Sequence, residues 1–201
     1  MVLRETSQKE RILHAAAELF ARHGYHGVGM SQLEKAVGLQ RGALYHHIGN
    51  KEALLYEISV SQLRVMVESA QKISAAFSDE EERIRALARA ILRNIAEHRL
   101  EWTVHYRDFN ALTGERLRDV LDLRAQYERA WLDAFHTGTA KGLFRSMADD
   151  VAFKGILGMF NYSYVWMDQS GRVSTDTIAD MFCDIILSGI RPPQAVGGSS
   201  A

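Results

Sequence analysis

MSQLEKAVGLQRGALYHHIGNK, residues 30–51, decides the reading of this chain. It opens as a helix, with Leu33, Ala36 and Val37 apolar at helical spacing. Gly38 stands where a chain leaving a helix needs positive φ, and Leu39 is the apolar residue just past it. A second short helix, residues 40–48, follows with Leu44 and Ile48 on its inner face. Gln40, Arg41, Ala43, Tyr45, His46 and His47 are left outside. That set suits a nucleic-acid groove, because small residues permit close approach while Arg, Gln, Tyr and His reach phosphates or base edges. The geometry is a helix-turn-helix whose second helix reads DNA. A surface helical hairpin of an all-α enzyme gives the same pattern, so the flanking sequence has to decide.

On the N-terminal side, Ser7 and Glu10 form a capping box. It starts a helix that runs through Ile12, Leu13, Ala16, Leu19 and Phe20 and ends at Gly24. Residues 25–29 are a glycine-broken connector. GYHGVG, residues 24–29, is no phosphate loop, since no strand precedes it and no Lys-Ser/Thr follows. On the C-terminal side, Asn50 caps a helix over 51–77, and Ser78 with Glu81 predicts a second capping box for a helix over 79–98. Periodicity then predicts helices over 100–112, 115–141, 149–167 and 174–190. Strand-like alternation is absent and both prolines, Pro192 and Pro193, stand at the end. The chain reads as all-α, with about nine helices.

The 201 residues carry a formal net charge of −1, so bulk charge does not make the protein a polyanion binder. Its distribution is more telling. Residues 1–51 hold seven Lys/Arg against four acids, a local +3 that leaves −4 for the rest. A basic end on an acidic body suits a DNA-binding head. The single Cys183 excludes an intrachain disulfide and lies on an apolar stretch, where a buried inert thiol is expected. A charged, helical N-terminus is no signal peptide, and no apolar run approaches the ~20 residues that span a bilayer. A soluble, cytoplasmic protein with no membrane partner is expected.

Catalysis finds little support. His98 and His105 share a face only if one helix is continuous, and the side chains of His46 and His47 diverge by about 100°. There is no H-E-x-x-H, no Cys pair and no nucleophile elbow. No catalytic residue, metal site or cofactor is expected.

Residues 12–58, ILHAAAELFARHGYHGVGMSQLEKAVGLQRGALYHHIGNKEALLYEI, resemble the TetR family of bacterial transcriptional regulators. The resemblance implies a helix-turn-helix DNA-binding domain over 1–51 and a ligand-binding and dimerisation domain over 52–191. The tail, 192–201, is expected to be disordered. By position it implies base-facing Gln40, Arg41 and Ala43, backbone approach at Gly42, and phosphate or groove contacts from Ser31, Tyr45, His46 and Lys51. Double-stranded operator DNA, a small hydrophobic effector and a second copy of the chain are the implied partners. The implied function is a ligand-responsive regulator, a repressor released from a near-palindrome. This chain departs from the family pattern in having Gly29 where Thr usually caps the second helix, Glu34 where Ala is usual, and Ile48 for Phe. A helical adaptor that no longer binds DNA is disfavoured by Arg41, Tyr45, His46 and Lys51 occurring together.

The middle helices carry more aromatics than a bundle core requires, with polar groups among them. Trp102, His105, Tyr106, Phe109, Asn110, Trp131, Phe135, Phe160, Asn161 and Tyr164 are the candidate effector contacts, with Arg107 and Arg124 nearby in sequence. Residues 162–182, YSYVWMDQSGRVSTDTIADMF, are similar to the end of regulators that answer to acyl-CoA thioesters of fatty-acid or steroid degradation. A hydrophobic drug or aromatic acid is the competing effector class. The last two helices are apolar nearly all round, which predicts a dimer face of Phe153, Trp166, Ile178, Phe182, Ile185 and Ile186.

Overall fold

The computed structural model describes residues 7–146, 149–167 and 171–192, and the regular structure among them is helical. Pro193–Ala201, most of the expected disordered tail, lies outside the described residues. The head is α1 (Gln8–His23), α2 (Met30–Val37) and α3 (Arg41–Ile48). The Ser7 hydroxyl accepts from the Glu10 N–H at 3.2 Å while the Glu10 carboxylate accepts from the Ser7 N–H at 2.7 Å, which is the expected capping box. Gly29 offers α2 no side-chain cap, but Gln32 reaches back so that its amide oxygen accepts from the Gly29 N–H at 2.7 Å. Half a capping box thus offsets the missing Thr. Gly38 closes α2 at φ 68°, in the left-handed conformation that the sequence requires there.

Long helices follow: α4 (Lys51–Ala76), α5 (Glu80–Glu97), α6 (Arg99–Asp108) and α7 (Gly114–Ala140). Asn50 caps α4 as expected, accepting from the Ala53 N–H at 2.7 Å. The expected cap at Ser78 is corrected by one residue. Asp79 accepts from the Glu82 N–H at 2.9 Å, and a carboxylate there also answers the helix dipole. The helix expected over 100–112 tightens after Asp108 into a 3₁₀ turn, Phe109–Ala111. The helix expected over 149–167 is two, α8 (Asp149–Asn161) and α9 (Ser163–Trp166), with the Ser163 hydroxyl turned back onto the Met159 carbonyl at the break. The break leaves Tyr162, Val165 and Trp166 exposed. The last helix is α10 (Thr175–Ile190), whose Ser174 cap accepts from the Thr177 N–H.

The chain divides into two compact units, Met1–Glu68 with Asn94–Tyr127, and Ser69–Arg93 with Glu128–Ala201. This division does not fall at residue 51, because α1 packs on α6 within the first unit. The first unit buries Ile12, Ala16, Phe20, Leu33, Leu44, Leu55 and Val104. The second buries Leu87, Ile91, Trp131, Phe144, Phe160 and Leu187. Cys183 is buried here too, as expected, and burial pushes its thiol up to about 12.

The second unit also holds an antiparallel series of ion pairs between α5 and α10. Arg85 meets Asp184 at 2.6 Å, Arg89 meets Asp180 at 2.7 Å, and Arg93 meets Asp176 through both Nε and a terminal nitrogen. Both helices step by four residues, so the pairs stack as rungs. Arg191 and Glu81 add a further pair at 2.9 Å. In the same unit Glu80, buried at the start of α5, accepts bidentately from Lys141 at 2.8 and 2.9 Å.

Candidate functional site

α3 is held from beneath by Leu44, which is fully buried with Leu33 and Val28. Its outer face is open: Gln40, Arg41, Gly42, Ala43, Tyr45 and His46 are exposed, as is Ser31 on α2. The expected DNA-reading residues of α2 and α3 are thus open to solvent within one unit. Lys51 sits slightly apart. It is half-buried, with its ammonium 4.2 Å from the centre of the Tyr25 ring, and desolvation lowers its pKa.

Arg41 is restrained on two sides. Its guanidinium lies 5.6 Å from the Tyr45 ring centre and 4.0 Å from the Glu34 carboxylate, the residue that departs from the family pattern. An acid beside the reading helix repels phosphate wherever the head lands on DNA. Glu34→Gln is expected to tighten binding to unrelated DNA about two- to fivefold, and binding to a cognate site less. Parallel titrations on the two DNAs check this.

Two polar clamps tie the head to the corner between α6 and α7, all within the first unit. Arg107 donates to the carbonyls of Phe20 and Ala21 at the end of α1, where the helix dipole favours a cation. Asp108 accepts from the Tyr25 N–H at 3.1 Å and from Arg107. Past the 3₁₀ turn, the Thr113 N–H and hydroxyl both donate to Glu52 at 2.9 Å. Arg116 donates to Glu52 at 2.9 Å and to Asn50 at 3.1 Å. The Thr113 hydrogen bonds, before the Arg116 charge, hold the Glu52 carboxyl below its usual range. None of this was visible in the sequence. Arg107, expected there as a polar group among the effector aromatics, is placed by the structure against the end of α1.

The candidate effector residues fall into two sets. In the first unit, Trp102 and His105 are buried and Tyr106 and Phe109 half-buried. Trp102 stacks on Tyr106 at 5.3 Å and His105 on Phe109 at 5.4 Å, while Arg124 lies 4.9 Å over the Phe109 ring. The Trp102 indole N–H is already committed to Asn94, at 2.7 Å, and Asn94 in turn donates to Gln62. Asn110 is exposed, in the 3₁₀ turn. In the second unit, Trp131 and Phe160 meet at 5.2 Å, Phe135 leans on Phe144, and Tyr164 is half-buried. The Asn161 side-chain oxygen is buried there without a hydrogen bond.

Of the expected dimer face, Trp166 and Ile185 are exposed, Ile178 and Phe182 half-buried. Phe153 and Ile186, 6% and 5% exposed, are corrected to the protomer's own core, since they point inward from α8 and α10. Met181 and Val173, absent from the expectation, are exposed beside Ile185 and line with it and Trp166 a depression of about 430 Å³.

Comparison with known sequences settles the family. A family model described as bacterial regulatory proteins, tetR family, matches residues 12–58, and one described as tetracyclin repressor-like, C-terminal domain, matches residues 78–190. The chain belongs to the TetR family. As a TetR-family protein it is a DNA-binding transcriptional regulator, not a member of an enzyme family. It is 25% identical over 192 residues to the HTH-type transcriptional repressor KstR2 of Rhodococcus jostii, covering 94% of both chains. Among solved structures it resembles the TetR-family regulator PfmR of Thermus thermophilus, with 30% identity and a TM-score of 0.81 over 89% of this chain and 97% of that one. It also resembles AibR, solved with isovaleryl coenzyme A and operator DNA, at 27% identity and a TM-score of 0.79 over 89% of this chain and 97% of that one. No helix among the described residues is long and apolar enough to cross a membrane.

Proposed function

We propose that this TetR-family protein is a cytoplasmic homodimeric repressor that leaves a near-palindromic operator when a small hydrophobic effector, of the acyl-CoA class, binds its helical body. The observation that carries the reading is the outward set of Gln40, Arg41, Gly42, Ala43, Tyr45 and His46 on a buried Leu44 anchor. Two such helices on a twofold dimer enter successive major grooves about one turn apart. Ser31 and Lys51 flank them, the hydroxyl donating a hydrogen bond to phosphate and the ammonium neutralising one. The acyl-CoA class is supported by AibR, a structural relative solved with such a thioester and its operator. Trp166, Ile178, Met181, Phe182 and Ile185 supply an apolar patch for a second copy. An effector need differ in affinity between the two conformers by only a few kcal/mol to empty the operator.

A titration against the DNA flanking the protein's own gene tests this. Binding is expected to weaken with salt at a slope of several units, and Arg41→Ala or Tyr45→Ala to weaken it about tenfold or more. Salt-insensitive binding, or none, rejects the reading. Acyl-CoAs and free acids added to the bound complex then separate effector classes, and release by CoA-free aromatics alone rejects the thioester. Sedimentation as a single-chain species at micromolar concentration rejects the dimer.

A further inference from the structure

α6 carries a polar side chain that the rest of the structure does not use. His105 is 2% exposed, and neither of its ring nitrogens has a hydrogen-bond partner. A neutral imidazole presents one donor and one acceptor, and burying both unpaired is a penalty that Phe or Leu at the same place avoids. Its polar neighbours on the helix are committed elsewhere, Trp102 to Asn94 and Arg107 to the carbonyls ending α1. The ring has aromatic neighbours: it meets Trp102 at 5.6 Å and Tyr106 at 5.1 Å in T-shaped pairs, and Phe109 stacks at 5.4 Å.

The charge around the ring limits what it can meet. Burial first, and the Arg124 guanidinium second, push the imidazole down to about 3, so it stays neutral at physiological pH. It is therefore neither a proton switch nor a cation ready to hold an anionic head group. A neutral N–H and a lone pair among aromatic rings match an uncharged oxygen on the apolar part of a ligand, as the thioester carbonyl of an acyl chain is.

We propose that His105 is the effector-reading residue of this regulator, hydrogen-bonding a carbonyl or hydroxyl oxygen on the apolar end of an effector, which packs there against Trp102, Tyr106 and Phe109. This rests on the effector-responsive reading above and names the group that the effector must carry. It also gives the signal a short path, since Arg107 and Asp108, which clamp the head, follow within one helical turn.

Four probes of similar shape test it: ethylbenzene, acetophenone, 1-phenylethanol and benzoate, titrated against the full chain and against His105→Phe. The variant is expected to melt at or above the wild-type temperature, because it removes an unpaired polar group. The preference for acetophenone and phenylethanol over ethylbenzene is expected to fall three- to tenfold in the variant, the contribution of one net hydrogen bond. The carbonyl stretch of acetophenone bound to the wild type is expected below its value in hexane. An unshifted stretch, an unchanged preference, or tightest binding of benzoate overturns the assignment, and the stretch decides even if His105→Phe fails to fold. Operator titrations alongside separate the failures: DNA binding that persists while these probes fail removes only the role of His105, whereas loss of DNA binding removes the function proposed above.

Discussion

Gly138→Ala is expected to destabilise the protein steeply, against the usual direction for a glycine inside a helix. An exposed helical glycine replaced by alanine gains about 1 kcal/mol. Here the added Cβ falls within contact distance of Cε2 and Cδ2 of the Phe144 ring, which lies across the end of α7. The ring has nowhere to go. It is buried against Phe135, with centroids 6.0 Å apart. Its backbone is tied down as well, because Leu143 and Phe144 donate to the Gly138 carbonyl and Arg145 donates to Ile190 at 2.7 Å. Overpacking of this kind outweighs the propensity gain by about 2 kcal/mol, a fall of roughly 4–8 °C in melting temperature. Pairing it with Phe144→Leu, which removes the ring atoms concerned, is expected to restore most of that loss relative to Phe144→Leu alone. A single variant as stable as wild type contradicts the packing described.

Gly27→Ala is expected to strike operator binding instead. Its Cβ meets the His23 carbonyl oxygen, a backbone atom at the end of α1. Relief requires moving either that helix end or the connector into α2. Neither is free, since Arg107 holds the carbonyls of Phe20 and Ala21 and Asp108 holds the Tyr25 N–H. The connector shifts, and the reading helix shifts with it. A penalty of about 2–3 kcal/mol in restoring the docked geometry corresponds to roughly 30- to 150-fold weaker operator binding. Titration on the operator measures this, and near-normal affinity contradicts it.

The head was legible in the sequence because its determinants are local. A Ser7–Glu10 box, Gly38 at positive φ and Leu44 beneath a polar face are each read within a few residues. Helix ends slipped where two signals competed, as when Asp79 rather than Ser78 took the cap, or where a side chain turned on its own backbone, as Ser163 does. The clamps were not legible, because Arg107 finds its partners 86 and 87 residues away and Thr113 finds Glu52 61 residues away. Aromatic count pointed to α6 without saying which side chains have spare hydrogen-bonding capacity. Only the structure separates Trp102, whose indole is satisfied, from His105, whose ring is not.

The rungs between α5 and α10 carry a mechanical consequence. Because Arg85, Arg89 and Arg93 face Asp184, Asp180 and Asp176 at a common four-residue step, sliding α10 along α5 by a fraction of a turn breaks all three pairs together. The next offset at which arginines again oppose aspartates lies about 6 Å away and forfeits one rung. α10 therefore has stops rather than a continuous track. The helix bearing Met181 and Ile185 behaves as a detent, holding its apolar patch at a fixed height on the second unit.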